Sequence, residues 1–358
     1  MQGEGQAGRR TAKHDGQMSD SHTAPGITNG FPLGYQWQLN GTNISGQTTS
    51  NYTFIVTNSG TYTLVVSNAA GSTNAAWQVT INYGTLAYYL STNTVGYANG
   101  YSPTFSNMLE LANWTSTTYS GTNLAYLTNA VWSTNCWLHG VQGLTATCIG
   151  YSNGFSGTFL VTMVSPRHYL RAQHIGTLST NTLIAFLDTN NVIYWRTAVQ
   201  EVQVGSSDTD VGILNSDVPA SVGYLPVIPT NYTNYLPTTF SSYVQGIGLH
   251  QDLRMFSQPM TFGDPTSVDW NSSASPQFGL GTSWNITLFS GDSSNPEMFL
   301  INNQFVLLTH NFHVGDGPNY AYQLDGINQQ MHYLSTNNAV GTDYQLSQFS
   351  LTNWPTIH

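Results

Sequence analysis

Charge is what this chain has least of. Asp, Glu, Lys and Arg make up 7% of its 358 residues, against about a quarter in ordinary globular domains. Seven residues are Lys or Arg, and the formal net charge is −10. A surface with no basic patch cannot neutralise phosphates, which excludes nucleic-acid binding as a function class. Cysteine is nearly absent. Cys136 and Cys148 are the two present, and neither lies in a CxxC or Cys/His zinc pattern. Their spacing suits a bridge across a hairpin-sized loop but does not require one. No apolar run is long enough to span a bilayer. The N-terminus has no apolar core of a secretory signal.

Aromatic residues reach 13%, and Asn, Thr, Ser, Gly and Tyr fill the positions that charged residues usually occupy. Such a composition, with turn residues at short intervals, predicts an all-β extracellular protein rather than a disordered one. Residues 1–30 differ from the rest. They are polar and Gly/Gln-rich, and Arg9, Arg10 and Lys13 are three of the seven Lys and Arg residues. They read as a leader or a disordered tail.

Residues 31–82 read as a small β unit. Strands are expected at Tyr35–Leu39, Tyr52–Val56, Gly60–Asn68 and Ala76–Ile81, with an Asn40-Gly41 turn. Residues 83–135 carry weaker patterns, with a short helix at Met108–Asn113, and read as a connector packed on the next domain. From Cys136 the pattern is regular. Short strands are expected at Thr145–Tyr151, Gly157–Ser165, Thr182–Asp188, Val192–Trp195, Thr197–Val204 and Val211–Leu214. A Pro/Asn/Tyr-rich link comes next. A second set is expected at Tyr243–His250, Leu253–Phe256, Thr261–Phe262, Gln277–Gly279, Trp284–Phe289, Met298–Ile301 and Phe305–Thr309. Two sets of about six strands suit two small antiparallel barrels, about 136–222 and 238–335. Asp325–Leu334 has helical spacing.

Three phrases carry candidate chemistry. Ser290-Gly291-Asp292-Ser293-Ser294-Asn295-Pro296 reads as a tight loop that presents a hydroxyl and two backbone N–H groups together, as nucleophilic acyl chemistry needs. Val164-Ser165-Pro166-Arg167-His168 continues through Tyr169-Leu170-Arg171-Ala172-Gln173-His174, and Ser207-Asp208-Thr209-Asp210 leads into the apolar Val211-Gly212-Ile213-Leu214. In the order His, Asp, Ser, these resemble the three active-site phrases of chymotrypsin-like serine proteases, over about residues 136–335. The run YQWQLNG and then GTYTLVVSNAAG resembles strands of bacterial immunoglobulin-like modules, with Trp37 as core Trp and Tyr62 as corner Tyr.

The resemblance implies an all-β chain: two six-stranded antiparallel barrels of chymotrypsin type, an immunoglobulin-like sandwich that lacks evident N-terminal strands, and a short C-terminal helix. It implies a secreted serine endopeptidase with Ser293 as nucleophile, His174 as base and Asp210 as the orienting carboxylate, chosen over Asp208 because the apolar strand follows it directly. Gly291 and Ser293 would supply the oxyanion N–H groups, and Asp292 a buried structural carboxylate. Thr287, Leu288, Thr309 and His310 would line the substrate pocket, and the uncharged Thr287 argues against a basic P1 side chain. His310 resembles the pocket histidine of glutamate-selective relatives; its rival role is a metal pair with His313 and Asp316. No cofactor and no activation sequence are implied. The chain departs from the family at Ser294 and Asn295, which replace two glycines, and at Ile175, which replaces a cysteine. The substrate expected is protein or peptide. The immunoglobulin-like unit would serve self-assembly or surface attachment. Two readings stay open beside this one: a degenerate protease fold acting as an extracellular binding or filament module, and an esterase on the same triad.

Overall fold

The computed structural model describes residues 33–50, 60–69, 71–79, 84–113, 129–151, 159–276, 278–288, 291–312 and 315–357. The expected strand Tyr52–Val56 and the tail 1–30 lie outside them. The chain divides into two units, Met1–Tyr83 and Gly84–His358.

In the first unit the described residues form one four-stranded antiparallel sheet. Its strands are β1 (Gly34–Leu39), β2 (Thr42–Asn43), β3 (Gly60–Asn68) and β4 (Gly71–Val79), in the order β2-β1-β3-β4. Asn40 and Gly41 make the β1–β2 turn with φ of 51° and 82°, the left-handed pair that such a two-residue hairpin requires. Alternation along β3 buries Tyr62, Leu64 and Val66. Trp37 is half-buried and stacks on Trp77 at 5.4 Å, so its role is packing. Among the described residues this unit is a single sheet rather than a sandwich.

The second unit opens with α1 (Leu86–Ala98), capped by Thr85, whose Oγ accepts from the Tyr88 N–H. It continues through the short α2 (Phe105–Met108). The sequence pattern places residues 86–98 in an irregular connector. They are helical because Leu86, Tyr89, Leu90, Thr94 and Ala98 share a buried face. The Asn93 amide also donates to Leu300 O at 2.9 Å. Beyond Met108 the expected helix gives way to single bridges at Leu109–Arg254 and Leu111–Trp132.

Two six-stranded antiparallel sheets come next, as expected. The first contains β5 (Gly150–Tyr151), β6 (Thr162–Met163), β7 (His168–Ala172), β8 (Leu183–Leu187), β9 (Ile193–Gln203) and β10 (Thr209–Leu214), in the order β5-β8-β9-β10-β7-β6. A bridge between Thr147 and Thr162, and a Cys148 N–H bond to Val161 O at 3.0 Å, bring its two ends together. The two expected strands at 192–204 are one, β9. Gly212 faces Tyr169 so closely that a Cβ there would lie 2.0 Å from the ring.

The second sheet contains β11 (Val244–Leu249), β12 (Met255–Thr261), β13 (Ser267–Trp270), β14 (Pro296–Ile301), β15 (Gln304–His310) and β16 (Asp316–Pro318), in the order β15-β14-β11-β12-β13-β16. The Phe312 N–H bond to Asp316 O, 2.9 Å, draws β15 onto β16. This is the two-barrel arrangement of the chymotrypsin-like fold. The described parts of the expected strands Gln277–Gly279 and Trp284–Phe289 add no strand: Phe278 and Gly279 lie in a turn, and a 3-10 turn at Thr282–Trp284 leads into irregular chain to Leu288.

The C-terminal helix α3 (Tyr320–Asn337) starts five residues before the expected position. Asn319 caps it by accepting from the Ala321 N–H, and Leu324, Ile327, Met331 and Leu334 form its buried face. Cys136 and Cys148 are both free and buried. Burial pushes each thiol up to about 12. No helix among the described residues is long and apolar enough to cross a membrane.

Candidate active site

The end of β7 fixes the first group. Its antiparallel register with β10 pairs Ala172 with Thr209 and Arg171 with Asp210. One step further, the Gln173 N–H donates to Asp208 O at 2.9 Å. His174 then turns back over Asp208. Its backbone N–H donates to Asp208 Oδ1 at 2.7 Å, and its Nδ1 lies 3.0 and 2.9 Å from the two carboxylate oxygens. On the other side, His174 Nε2 lies 2.9 Å from Ser293 Oγ. Phe312 meets the imidazole edge-on, ring centres 5.2 Å apart.

The carboxylate on His174 is therefore that of Asp208 and not of Asp210, which the sequence pattern favours. The register is the reason. Asp210 lies two residue pairs, about 7 Å, further back along the ladder. There it is buried opposite Arg171, and its oxygens have no hydrogen-bond partner among the described residues. Burial, with help from Glu201 and Asp208 and against Arg171, pushes its carboxyl up to about 6. Asp208 behaves in the opposite way. Burial would raise it, but hydrogen bonds from His174 and His310 outweigh that and hold it down at about 2.

His310, expected in the pocket wall, is buried at the end of β15. Its Nε2 faces Asp208 Oδ2 at 3.3 Å and its Nδ1 bonds the Tyr320 hydroxyl. With both ring nitrogens engaged, it does not serve as a pocket ligand. The metal alternative pairs it with His313, which lies outside the described residues. Among the described residues no group of three His, Cys, Asp or Glu is arranged to hold a metal. Thr309 is also buried, its hydroxyl turned to the His310 carbonyl, so it lines no open pocket either. Thr287 is exposed and Leu288 buried, both in the irregular segment before the loop that carries Ser293.

The loop itself is held at several points. Gly291 has φ of +112°, a conformation that favours glycine. Asp292 is fully buried. Its Oδ1 accepts from the Gln251 N–H at 2.7 Å, and its Oδ2 lies 3.6 Å from His250 Nε2. Ser294 is also left-handed, with φ of +73°, and the strain of about 1–2 kcal/mol that this costs a side chain is offset by its hydroxyl. Continuing the β6–β7 register places Leu160 opposite Ala172. Ser294 Oγ stands in that gap, donating to Leu160 O at 2.7 Å and accepting from the Ala172 N–H at 3.1 Å. Asn295 Oδ1 accepts from the Leu160 N–H at 3.3 Å. Ser294 and Asn295 thus dock the 291–295 loop onto the first sheet.

Replacing Ser294 by Ala should leave Leu160 O and Ala172 N–H buried and unpaired, at a cost of about 2–4 kcal/mol. Ser294→Gly loses the same bonds but relieves the left-handed strain, so it should be about 1 kcal/mol less damaging. Urea denaturation should rank them wild type, Gly, Ala; Ala equal to wild type would refute the bridging role of the hydroxyl.

No family model matches the chain, and no curated protein matches it. Among solved structures it is similar to kallikrein-related peptidase 10, with 12% identity and a TM-score of 0.38 over 53% of this chain and 96% of that one. It is similar also to kallikrein-related peptidase 10 in complex with Zn2+, with 11% identity and a TM-score of 0.38 over 54% and 98%.

Proposed function

We propose that the chain is a serine endopeptidase in which Ser293 is the nucleophile, His174 the general base and Asp208 the orienting carboxylate. One observation carries the reading: a single imidazole bridges Ser293 Oγ and the Asp208 carboxylate, with 2.9 Å on each side. A carboxylate only accepts, so Nδ1 of His174 carries the proton and Nε2 is left with the lone pair that a hydroxyl donates to. As Ser293 Oγ attacks the peptide carbonyl, Nε2 takes its proton and then delivers it to the leaving amine. Asp208, kept ionised, stabilises the imidazolium between those steps. Water, deprotonated by the same Nε2, attacks the acyl carbonyl, and Nε2 returns the proton to Ser293 Oγ as the acid leaves.

The oxyanion of each tetrahedral intermediate is assigned to the N–H groups of Gly291 and Ser293. Both residues are half-buried, and among the described residues neither N–H donates to a carbonyl. Donors of this kind, directed at charge that develops on the substrate, typically contribute about 3–4 kcal/mol each to lowering the barrier.

A fluorophosphonate probe tests the reading. The expected result is one adduct per molecule, found by mass spectrometry on the peptide that contains Ser293. A folded sample that takes up no probe overturns it. An adduct that forms while peptide substrates stay intact and simple esters are cleaved would transfer the site to the esterase reading.

A further inference from the structure

Behind Asp208 the site continues inward. Side-chain exposure falls from 34% at His174 to 11% at Asp208 and 2% at His310, and the next group, Tyr320, is buried. Five polar groups from five segments stand in one hydrogen-bonded line: Ser293, His174, Asp208, His310 and Tyr320. Filling space would not require this. A Leu at the end of β15 would fill a buried position without the cost of desolvating an imidazole. His310 instead has each ring nitrogen aimed at a partner.

We propose that His310 is a positioning residue of this site: Tyr320 locks its tautomer, and its Nε2–H is the second imidazole donor that holds the Asp208 carboxylate turned toward His174. The inference rests on the reading of Ser293, His174 and Asp208 given above.

The protons follow from acceptor chemistry. Asp208 Oδ2 can only accept, so His310 Nε2 must carry its hydrogen. The neutral ring then has a lone pair at Nδ1, and the Tyr320 hydroxyl donates to it. Both ends favour these states. Burial lowers His310, with Asp208 opposing and His174 adding to the effect, which keeps the ring neutral. Burial and the nearby Asp208 and Glu297 raise Tyr320, which keeps its proton. The titratable groups that face His310 are thus Asp208 and His174 from the first sheet's loops and Tyr320 from the start of α3, with Glu297 of β14 acting on Tyr320.

The carboxylate's two oxygens have different holders. Oδ1 is fixed by the backbone N–H of His174, and Oδ2 is shared by the two imidazoles. Without His310, Oδ2 keeps only the donor that must also work as the base. When that base becomes imidazolium, a carboxylate held from behind stays in place and stays charged. A carboxylate held only from the front keeps just the His174 backbone N–H on Oδ1 as a fixed anchor, and its Oδ2 is less firmly placed.

The test uses the full chain, labelled for carbon-13 and nitrogen-15 NMR, with His310→Leu, His310→Gln and Tyr320→Phe. Two signals are read besides activity: the Asp208 carboxyl titration and the downfield proton on His174 Nδ1. In His310→Leu the titration should move up by about one pH unit or more, the downfield proton should broaden or vanish, and kcat should fall about tenfold with KM nearly unchanged, as befits one lost hydrogen bond to a charged group. His310→Gln, whose amide can donate, should recover much of both signals. Tyr320→Phe should shift them part of the way.

A folded His310→Leu protein with the wild-type titration and downfield proton overturns the proposal, even if it melts at a lower temperature. Should His310→Leu fail to fold, unchanged signals in His310→Gln and Tyr320→Phe overturn it on the same terms. A wild type that never takes up fluorophosphonate, combined with shifted Asp208 signals in the variants, retires the peptidase reading and leaves the pairing of His310 with Asp208 standing.

Discussion

Asp208→Asn should lower kcat/KM by about 10,000-fold, while Asp210→Asn should leave it within a few-fold. The difference comes from what each carboxylate touches. In Asp208→Asn the backbone N–H of His174, at 2.7 Å from Oδ1, keeps the amide oxygen on its side. The amide NH2 then replaces Oδ2 and confronts Nδ1 of His174 and Nε2–H of His310. The His174 ring must accept at Nδ1, which puts its proton on Nε2, where it cannot take one from Ser293. Asp210 touches neither histidine. Its carboxyl sits near 6 rather than 3.8 in the folded chain, so the fold favours its neutral form. The stability it contributes is present at low pH and is lost as pH rises from about 4 through about 6, a penalty of roughly 3 kcal/mol at pH 8. Asp210→Asn should therefore stabilise the protein at pH 8, by up to that amount, and change little at pH 4. Steady-state kinetics and urea denaturation at the two pH values separate the pair. Loss of activity in Asp210→Asn with full activity in Asp208→Asn would reverse the assignment.

Arg171→Met should be the most destabilising single change, costing about 3–5 kcal/mol at pH 8. Arg171 is fully buried, and its Nη1 donates to Glu201 Oε2 at 2.9 Å and to Gly176 O at 2.7 Å. It also lies across the ladder from Asp210. Removing it leaves two buried carboxylates with no cation between them. Glu201→Leu should cost less, because the guanidinium keeps Asp210 as a fallback partner. The loss in Arg171→Met should shrink at pH 5, where the carboxylates can take up protons, and Arg171→Met combined with Asp210→Asn should recover part of it. Activity should fall along with stability. Glu201 Oε2 also accepts from the Leu178 N–H, 2.6 Å, so the ion pair anchors Gly176 and Leu178 in the loop that carries His174. Equal losses at pH 5 and pH 8 would mean that packing, not charge, sets the cost.

The three phrases that bring His174, Asp208 and Ser293 together are legible because the chemistry proposed for them needs particular residue types in a particular order. The choice between Asp208 and Asp210 is not. Both precede the same apolar strand, and only the β7–β10 register, a long-range property, brings one of them beside His174. His310 is illegible for a similar reason. A histidine at the end of a strand looks the same whether it faces solvent or the interior, and Tyr320, which fixes its orientation, belongs to a helix that starts five residues earlier than its spacing suggests. Most strands of the two sheets are legible from alternation and turn residues, but β7, β13 and β16 are not: the first sits inside the polar His174 phrase and the other two are three or four residues long. Leu86–Ala98 is not legible either: its Thr, Asn, Val, Tyr and Gly residues are indifferent helix formers, and the helix exists because the second sheet gives its apolar side somewhere to lie. Trp284–Leu288 shows the converse, an apolar run that joins no ladder among the described residues.

The bridge that Ser294 makes into the gap between Leu160 and Ala172 also bears on timing. His174 and Ser293 stand 119 residues apart in the sequence and belong to different sheets. Neither sheet alone brings Ser293 beside His174, and the Ser294 hydroxyl that seats the loop bonds to the first sheet only when the loop of the second has reached it. Under the proposed peptidase reading a half-folded molecule is therefore unarmed: it would gain the power to cut only once it had hidden most of its own cleavable bonds, a safeguard against digesting its still-unfolded copies.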